Sequence, residues 1–423
     1  MILGRRLKMS MLKKSSFLLC LIIIMIGNVW FLNLKNDNSS LVGAYIDGKY
    51  ASNMPSKDAG YVVEKIVCDN EAVGEWNYDD WGLLVKNMSK KSKCNVYFRK
   101  GIKLADTITL VDTSGKCPTV NDDGSVNVTS AESENSLLCS APDNYGNSYY
   151  FRGNVQNNYV YFANFYWRII RINGDGSIRM IYDGTTAHAN GEASSDRKIG
   201  DSAFNDKDDD NAYVGYMYGT AGSSSYEETH ANINDSTIKK YIDNWYENNI
   251  KNTGYEQYLA DNLFCNDRTI ATGKVDSTYT NFGYGKNKTT YRWYYGSWNG
   301  YKTYDNDAMI LFCKNIVDSL AVSSYSKSLS YPIGLINEDE ILLAGGYAIK
   351  NTKFYLNIGN NYWTMTPYTF DGADAIMRFL AYDGSAHIAN GVKNIRGVKP
   401  VINLKAGSLT IGDGSITNPY KIS

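Results

Sequence analysis

Asn361-Tyr362-Trp363-Thr364-Met365-Thr366-Pro367 and Gly397-Val398-Lys399-Pro400-Val401-Ile402-Asn403-Leu404 are the two stretches that decide the fold. Each reads as an apolar strand, and the first carries a tryptophan. Between them lies a polar segment rich in tyrosine. Two strands around such a segment are typical of a scaffold that presents a surface, because loops on a rigid frame carry most binding residues.

Upstream of these stretches the chain alternates strand patterns with turn signals. Tyr159–Phe162, Phe165–Ile172 and Ser177–Tyr182 are predicted strands, and Asn173-Gly174-Asp175-Gly176 predicts a hairpin turn between the last two. Helical spacing of apolar residues predicts one helix over Ser236–Ile250. A cap at Asn337, followed by acidic residues, predicts a second helix over Asp339–Leu343. Two short helices among many strands predict an α+β fold class.

The N-terminus predicts membrane attachment. Five Lys and Arg residues precede an apolar run over 17–34, which is long enough to cross a bilayer as a helix. No Ala-x-Ala-like cleavage site follows it. We therefore expect an uncleaved signal anchor rather than a cleaved signal, in a single-pass protein of the cell membrane whose C-terminal part lies outside the cytoplasm.

The cysteine count fits this location. Apart from Cys20, which lies inside the apolar run, the sequence contains six cysteines. An even number outside the cytoplasm favours a disulfide framework, with buried free thiols as the alternative. Clustering along the chain favours three sequential pairs, which are Cys68 with Cys94, Cys117 with Cys139, and Cys265 with Cys313.

These features divide the chain into seven predicted segments. The second and fourth are a membrane anchor and a small β-domain stapled by a disulfide, and the sixth is the main α+β domain. In order, the segments are a basic cytoplasmic tail (1–16), a transmembrane signal anchor (17–34), a stalk (35–43), a small β-domain (44–103), a linker or loop region (104–142), the main domain (143–407) and a C-terminal strand or tail (408–423).

Composition excludes some functions and favours others. The 43 Lys and Arg residues balance 44 Asp and Glu residues, so the net charge of −1 gives no electrostatic basis for nucleic-acid binding. The chain contains 35 tyrosines. Tyrosine-rich surfaces are typical of binding paratopes, and tyrosine is also a good strand former, so both readings stay open.

No pattern predicts a catalytic or metal centre. The acidic run 206–211 lacks the glycine and the glutamate that an EF-hand-like calcium loop requires. His188 and His387 lie near Asp183 and Asp383 in two similar segments, 182–191 and 382–391, but no nucleophile motif accompanies them. Exposed polar turns explain both histidines more simply. We expect no cofactor, no bound metal and no enzymatic activity.

Six stretches in a fixed order resemble a group of uncharacterised surface proteins of Gram-positive gut Bacilli. The resemblance covers roughly 145–405. The ending is similar to C-type-lectin-like folds, which include formylglycine-generating enzymes and the variable proteins of diversity-generating retroelements. The matching stretches are Phe165–Gly176, Tyr213–Gly219, Ile238–Tyr246, Tyr331–Glu340, Tyr362–Pro367 and Gly397–Leu404.

The chain departs from these relatives at two points. Lys399 stands where members of the group more usually carry arginine. Formylglycine-generating enzymes bind copper through a cysteine pair near the C-terminus, and no cysteine follows Cys313 here, so that activity does not carry over.

The resemblance implies a lectin-like domain with one exposed face. That face would be formed by the loops between the two deciding strands, with Trp363, Pro400 and Ile402 packed beneath it. The ligand would be an extracellular glycan or protein. The alternatives are a structural or assembly role at the cell surface and, less favoured, an enzyme on the formylglycine-type scaffold. The implied ligand-binding residues are Tyr368, Phe370, Asp371, Tyr382, Asp383, His387 and Asn390.

Overall fold

A computed structural model of the 423-residue chain describes residues 30–31, 42–78, 80–87, 92–108, 116–268, 283–285, 288, 307–386 and 388–422. The chain forms two compact units, 1–102 and 103–422, with Ser423 grouped with the first. Strands account for 38% of the described residues and helices for 12%. The α+β expectation is therefore wrong, because the helices found are few and short and most of the regular secondary structure is strand.

The predicted membrane anchor falls almost entirely outside the described residues. Within 17–34 only Trp30 and Phe31 are described, and they form a short strand opposite Val85 and Leu84. None of the helices in the described ranges is both long and apolar enough to cross a membrane. The N-terminal membrane helix in our predicted architecture therefore has no counterpart in the described chain.

The first unit consists of two small sheets. Their orders are β3-β2-β7-β4 and β1-β6-β5, and β2 runs parallel to β7. Alternating residues such as Val96 and Phe98 point into a shared core, as the period of two in a half-buried strand requires. The strands are β1 (Trp30–Phe31), β2 (Val42–Ile46), β3 (Lys49–Ala51), β4 (Tyr61–Cys68), β5 (Val73–Asn77), β6 (Gly82–Lys86) and β7 (Cys94–Lys100).

A disulfide links β4 and β7 at directly opposed positions. Cys68 and Cys94 are register partners in the antiparallel pair, with Cα atoms 4.0 Å apart. The other two predicted bridges, Cys117–Cys139 and Cys265–Cys313, are also present. All three sequential pairings are thus confirmed, and the alternative of buried free thiols is wrong for these six cysteines.

The second unit holds both deciding stretches, 361–367 and 397–404. Its helices are α1 (Leu104–Thr107), α2 (Tyr226–Thr229), α3 (Thr237–Asn249) and α4 (Glu338–Leu343). Its strands, with β8 at the boundary between the units, are β8 (Ile102–Lys103), β9 (Thr119–Val120), β10 (Val126–Val128), β11 (Ser136–Asp143), β12 (Gly146–Gly153), β13 (Tyr159–Phe162), β14 (Phe165–Ile172), β15 (Ile178–Gly184), β16 (Asp201–Ala203), β17 (Met217–Tyr218), β18 (Asn234–Asp235), β19 (Phe264–Cys265), β20 (Asp307–Met309), β21 (Ser319–Leu320), β22 (Ile333–Gly334), β23 (Tyr362–Phe370), β24 (Ala375–Leu380), β25 (Ile388–Gly391), β26 (Ile395–Gly397), β27 (Val401–Leu404), β28 (Leu409–Ile411) and β29 (Tyr420–Ile422).

Two sheets dominate this unit. The larger runs in the order β22-β27-β15-β14-β13-β29-β28, and β14 also pairs with β12, which pairs with β11. The smaller runs β16-β26-β23-β24-β25. The stretch Gly397–Leu404 connects the two sheets, because Gly397 ends β26 in the smaller sheet and Val401 begins β27 in the larger one.

The predicted helices form, and their caps explain where they begin. The Ser236 side chain accepts a hydrogen bond from the Lys239 backbone at the start of α3. At α4, Asn337 and Glu340 form a reciprocal capping box, which satisfies two backbone donors that the helix leaves free. The predicted linker 104–142 instead contributes strands to this unit, among them β11, which pairs along its whole length with β12.

Candidate functional site

The predicted ligand-binding residues do not form one face. Asp371 lies in the turn before β24, and Asn390 stands opposite Met377 near the start of that strand. Tyr382 and Asp383 follow the other end of β24. Tyr382 comes five residues after Met377, which is roughly 17 Å along an extended chain at about 3.3 Å per residue. His387 lies outside the described residues. The structure therefore separates two groups that the sequence placed together.

The group around Asp371 serves the hairpin rather than a ligand. The Phe370 side chain is 1% exposed, so it belongs to the core. Tyr368 is half-buried, with the Arg378 guanidinium 4.3 Å from its ring centroid. The Asp371 carboxylate accepts hydrogen bonds from two backbone N–H groups of its own turn, at 2.8 and 2.9 Å. Such a bond pattern closes a turn.

The group at the other end of β24 is exposed. The Tyr382 side chain is 64% exposed, and Ile349, in the loop that follows α4, is 59% exposed. Their segments are joined by hydrogen bonds, since the Asn351 N–H donates to the Asp383 carbonyl at 3.1 Å and the Ala386 N–H donates to the Tyr347 carbonyl at 2.7 Å. We name the surface formed by 347–350 and 382–383 the Tyr382 face.

The backbone beneath the Tyr382 face is tightly fixed. The Asn361 side chain accepts a hydrogen bond from the Tyr382 N–H at 2.7 Å, and the Asp383 carboxylate accepts one from the Ser385 N–H at 3.0 Å. Gly384 has a φ of +81°, and a Cβ there would lie 1.8 Å from the Asn351 carbonyl oxygen. Only glycine fits this position. An exposed aromatic ring on a fixed turn can bind a partner with little loss of conformational entropy.

Sequence reasoning missed Ile349 because the loop after α4 has no strand or helix period. A signal was present, since Gly345-Gly346 ends the helix and an apolar pair, Ala348 and Ile349, follows in a loop. Both residues are exposed. A contiguous exposed apolar patch can mark an interaction site, whereas single exposed apolar residues are common.

Lys399, the basic residue of the second deciding stretch, has a structural role. Its ammonium donates to the Asp183 carboxylate at 3.2 Å, and both side chains are 1% exposed. The same carboxylate accepts two hydrogen bonds from the Arg197 guanidinium, at 2.8 and 3.0 Å. Arg168 completes this set, which we name the Asp183 cluster, with its nearest nitrogen 3.9 Å away.

Three cations surround one carboxylate in the Asp183 cluster, so positive charge is in excess there. Burial lowers the pKa of Lys399 to about 7, and the neighbouring arginines add to this while Asp183 opposes it. Burial tends to raise the pKa of Asp183, but the three cations outweigh it and the net pKa is lowered. Asp183 therefore stays ionised, while Lys399 is the member of the cluster that loses its proton near neutral pH.

His188 is buried, contrary to the expectation of an exposed polar turn. Its Nδ1 lies 2.9 Å from a Glu192 carboxylate oxygen, and its Nε2 lies 2.8 Å from an Asp196 carboxylate oxygen. Burial lowers the pKa of His188, but the bonds to Asp196 and Glu192 outweigh it, so the pKa is raised above 6.5. Thr186 Oγ1 lies 3.1 Å from Nε2. Both ring nitrogens are held by carboxylates, so neither is placed to act as a base for that hydroxyl, and the arrangement is a structural ion cluster.

Other residues of the second unit also form buried ion pairs. Glu340, in α4, accepts a bond from Arg171 at 2.8 Å and one from Arg179 at 3.2 Å, and its side chain has no exposed surface. Arg268 pairs with Asp318 at 2.7 Å, again without exposure. Buried charges of this kind are found paired because an isolated one is too costly to desolvate.

A small, partly open cleft lies beside Cys265. Asp267, Asp339 and Thr366 contribute to its wall. One Asp339 oxygen accepts a hydrogen bond from the Ile310 N–H at 3.0 Å, and the Thr366 hydroxyl accepts one from the Glu338 N–H at 2.8 Å. These polar groups hold backbone in place. In the described ranges no group of three His, Cys, Asp or Glu residues could hold a metal ion.

Comparison with known proteins adds no relative. No family model, no curated protein and no solved structure matches this chain. The role of each residue therefore has to be argued from its own contacts.

Proposed function

We propose that this chain is an extracytoplasmic protein that binds a glycan or protein ligand through the Tyr382 face. The observation that carries the proposal is the exposure of Tyr382 and Ile349 on two segments that hydrogen bonds join. Tyrosine offers an apolar ring and a hydroxyl with few torsions to immobilise, which suits both sugar stacking and protein contact. Asp383 adds a half-buried carboxylate at the edge of the face.

The three disulfides support the extracytoplasmic location. Such bonds form and persist in oxidising compartments and are rare in the cytosol. Attachment to the membrane through 17–34 stays a prediction from the sequence.

A non-catalytic role is supported by where the ionisable groups lie. Asp183, Glu340 and Asp318 are fully buried in ion pairs that hold the core together. Histidine often acts as a general base, but both ring nitrogens of His188 are bonded to carboxylates. The residues offered to solvent at the Tyr382 face are suited to contact rather than to bond chemistry.

The test is a binding screen of the full chain against glycan and protein arrays, followed by substitution. Tyr382→Ser combined with Ile349→Ser should weaken any captured ligand at least about tenfold, because truncation of a central aromatic anchor typically costs 2 kcal/mol or more. Ile316→Ser is the matched control, since Ile316 is 64% exposed elsewhere on the same unit. Undiminished binding by the double variant would exclude the Tyr382 face as the binding site. Self-assembly of the chain without any captured ligand would favour a structural role.

A further inference from the structure

The sequence contains the tripeptide Ala-Asn-Gly twice, as Ala189-Asn190-Gly191 and Ala389-Asn390-Gly391. Asn–Gly pairs are prone to loss of the side-chain amide, because the following backbone nitrogen can attack the asparagine Cγ and glycine has no side chain to hinder it. Both pairs are half-buried, so exposure does not distinguish them. Their hydrogen bonds do.

The first pair is locked. The Asn190 Oδ1 accepts a bond from Arg168 at 2.8 Å, and its Nδ2 donates to two acceptors, Asn154 Oδ1 and the Val155 carbonyl, at 2.9 Å each. The nitrogen that would attack is also occupied, since the Gly191 N–H donates to the Asn357 carbonyl at 3.1 Å. Attack at Asn190 would require several of these bonds to break.

The second pair carries fewer restraints from neighbouring residues. β25 is the edge strand of its sheet, and Gly391 stands opposite Ile376 in β24. The neighbouring Val392 N–H donates to the Ala375 carbonyl at 3.0 Å, and hydrogen-bonded positions alternate in an antiparallel ladder. The Gly391 N–H therefore points away from β24.

The reacting groups of the second pair are bonded to each other. The Gly391 N–H donates to the Asn390 Oδ1 at 2.8 Å, so the attacking nitrogen is held beside the side-chain carbonyl and is not bonded to another residue, as the Gly191 nitrogen is. Asn394 Nδ2 donates to the same oxygen at 2.7 Å, where it can stabilise the negative charge that develops as the nitrogen adds. Among the described residues no acceptor contacts the Asn390 Nδ2, the group that leaves.

We propose that Asn390 is a site of spontaneous succinimide formation in the folded protein, whereas Asn190 is protected. The Gly391 nitrogen gives its proton to solvent and bonds to Cγ. The bond from Cγ to Nδ2 breaks, and Nδ2 leaves as ammonia with a proton from water. Water then opens the cyclic imide at either carbonyl to give aspartate or isoaspartate. No oxidant or cofactor is required, and each product adds one negative charge to the edge strand.

The experiment incubates the folded chain at mildly alkaline pH and follows both tripeptides by peptide mass spectrometry, with isoaspartate separated by chromatography. We expect Asn390 to convert about tenfold faster than Asn190 or more, a ratio equivalent to about 1.4 kcal/mol. The same incubation in urea is the internal control. There the two rates should become similar, because the tripeptides are identical.

A matched variant checks the mechanism. Gly391→Ala should slow conversion while the protein stays folded, because a Cβ there would meet only the flexible end of Asn394, at 3.3 Å. Equal native rates at the two asparagines, or a difference that persists in urea, would overturn the proposal. So would an unchanged rate in Gly391→Ala. The inference does not depend on the proposed binding function.

Discussion

The role of Lys399 cannot be predicted from the sequence, although the strand pattern around it can. Its hydrogen-bond partner Asp183 lies 216 residues away. Nothing in a single sequence links two positions so far apart. The structure shows that the basic residue of the motif serves the buried core and lies away from any exposed face.

Replacement of Lys399 by methionine should stabilise the protein and flatten its pH dependence. A lysine titrates near pH 10.4 when unfolded, whereas the pKa of Lys399 is about 7 in the folded chain. Between these values the unfolded state binds more protons, so stability rises with pH from about 7 upward. Below pH 7 both states are protonated, and the full cost of burying the charge is present.

Methionine has a similar volume and no charge, and Asp183 keeps Arg168 and Arg197. We expect a gain of about 1–4 kcal/mol in the free energy of unfolding near pH 7 or below, as seen when apolar residues replace buried charges. Urea unfolding from pH 6 to pH 9 measures this. A variant that is less stable than the parent at every pH would contradict the assignment.

At the scale of elements, local patterns predicted the strands well and the fold class poorly. β13 and β14 begin and end where alternation and turn residues predict, and both helices form next to their predicted caps. The α+β class failed because short strands such as β17 and β19 contain two residues each, too few to show a period. Strand pairs of that length are set by tertiary contacts.

The disulfide between β4 and β7 should hold the first unit together. Cys68→Ala with Cys94→Ala removes a cross-link between positions 26 residues apart. Because the cross-link restricts the unfolded chain, its loss should lower the free energy of unfolding by about 3 kcal/mol. Hydrogen exchange of peptides from β2, β4 and β7 should accelerate. Cys117→Ala with Cys139→Ala, a 22-residue closure in the second unit, is the control that should leave these peptides unchanged. Unaltered hydrogen exchange in the variant that lacks Cys68 and Cys94 would show that the two small sheets are stable without this disulfide.

For the whole molecule, the binding face could be predicted only in part. Tyr382 and Asp383 were chosen from the sequence and lie at an exposed turn, whereas Phe370 proved to be core and Asp371 closes a hairpin. Composition cannot distinguish an aromatic residue that is buried from one that is presented. That distinction depends on which side of β23 a residue occupies and on what packs against it.

We propose that the Tyr382 face binds the ligand while the buried charges maintain the fold. Hydrogen–deuterium exchange of the full chain with and without its captured glycan or protein ligand tests this most directly. We expect added protection in the backbone of 347–351 and 381–386, with the peptides that carry Asp183 and Lys399 already protected in both states. Ligand-dependent protection confined to other segments, such as the loop around Ile316, would contradict it.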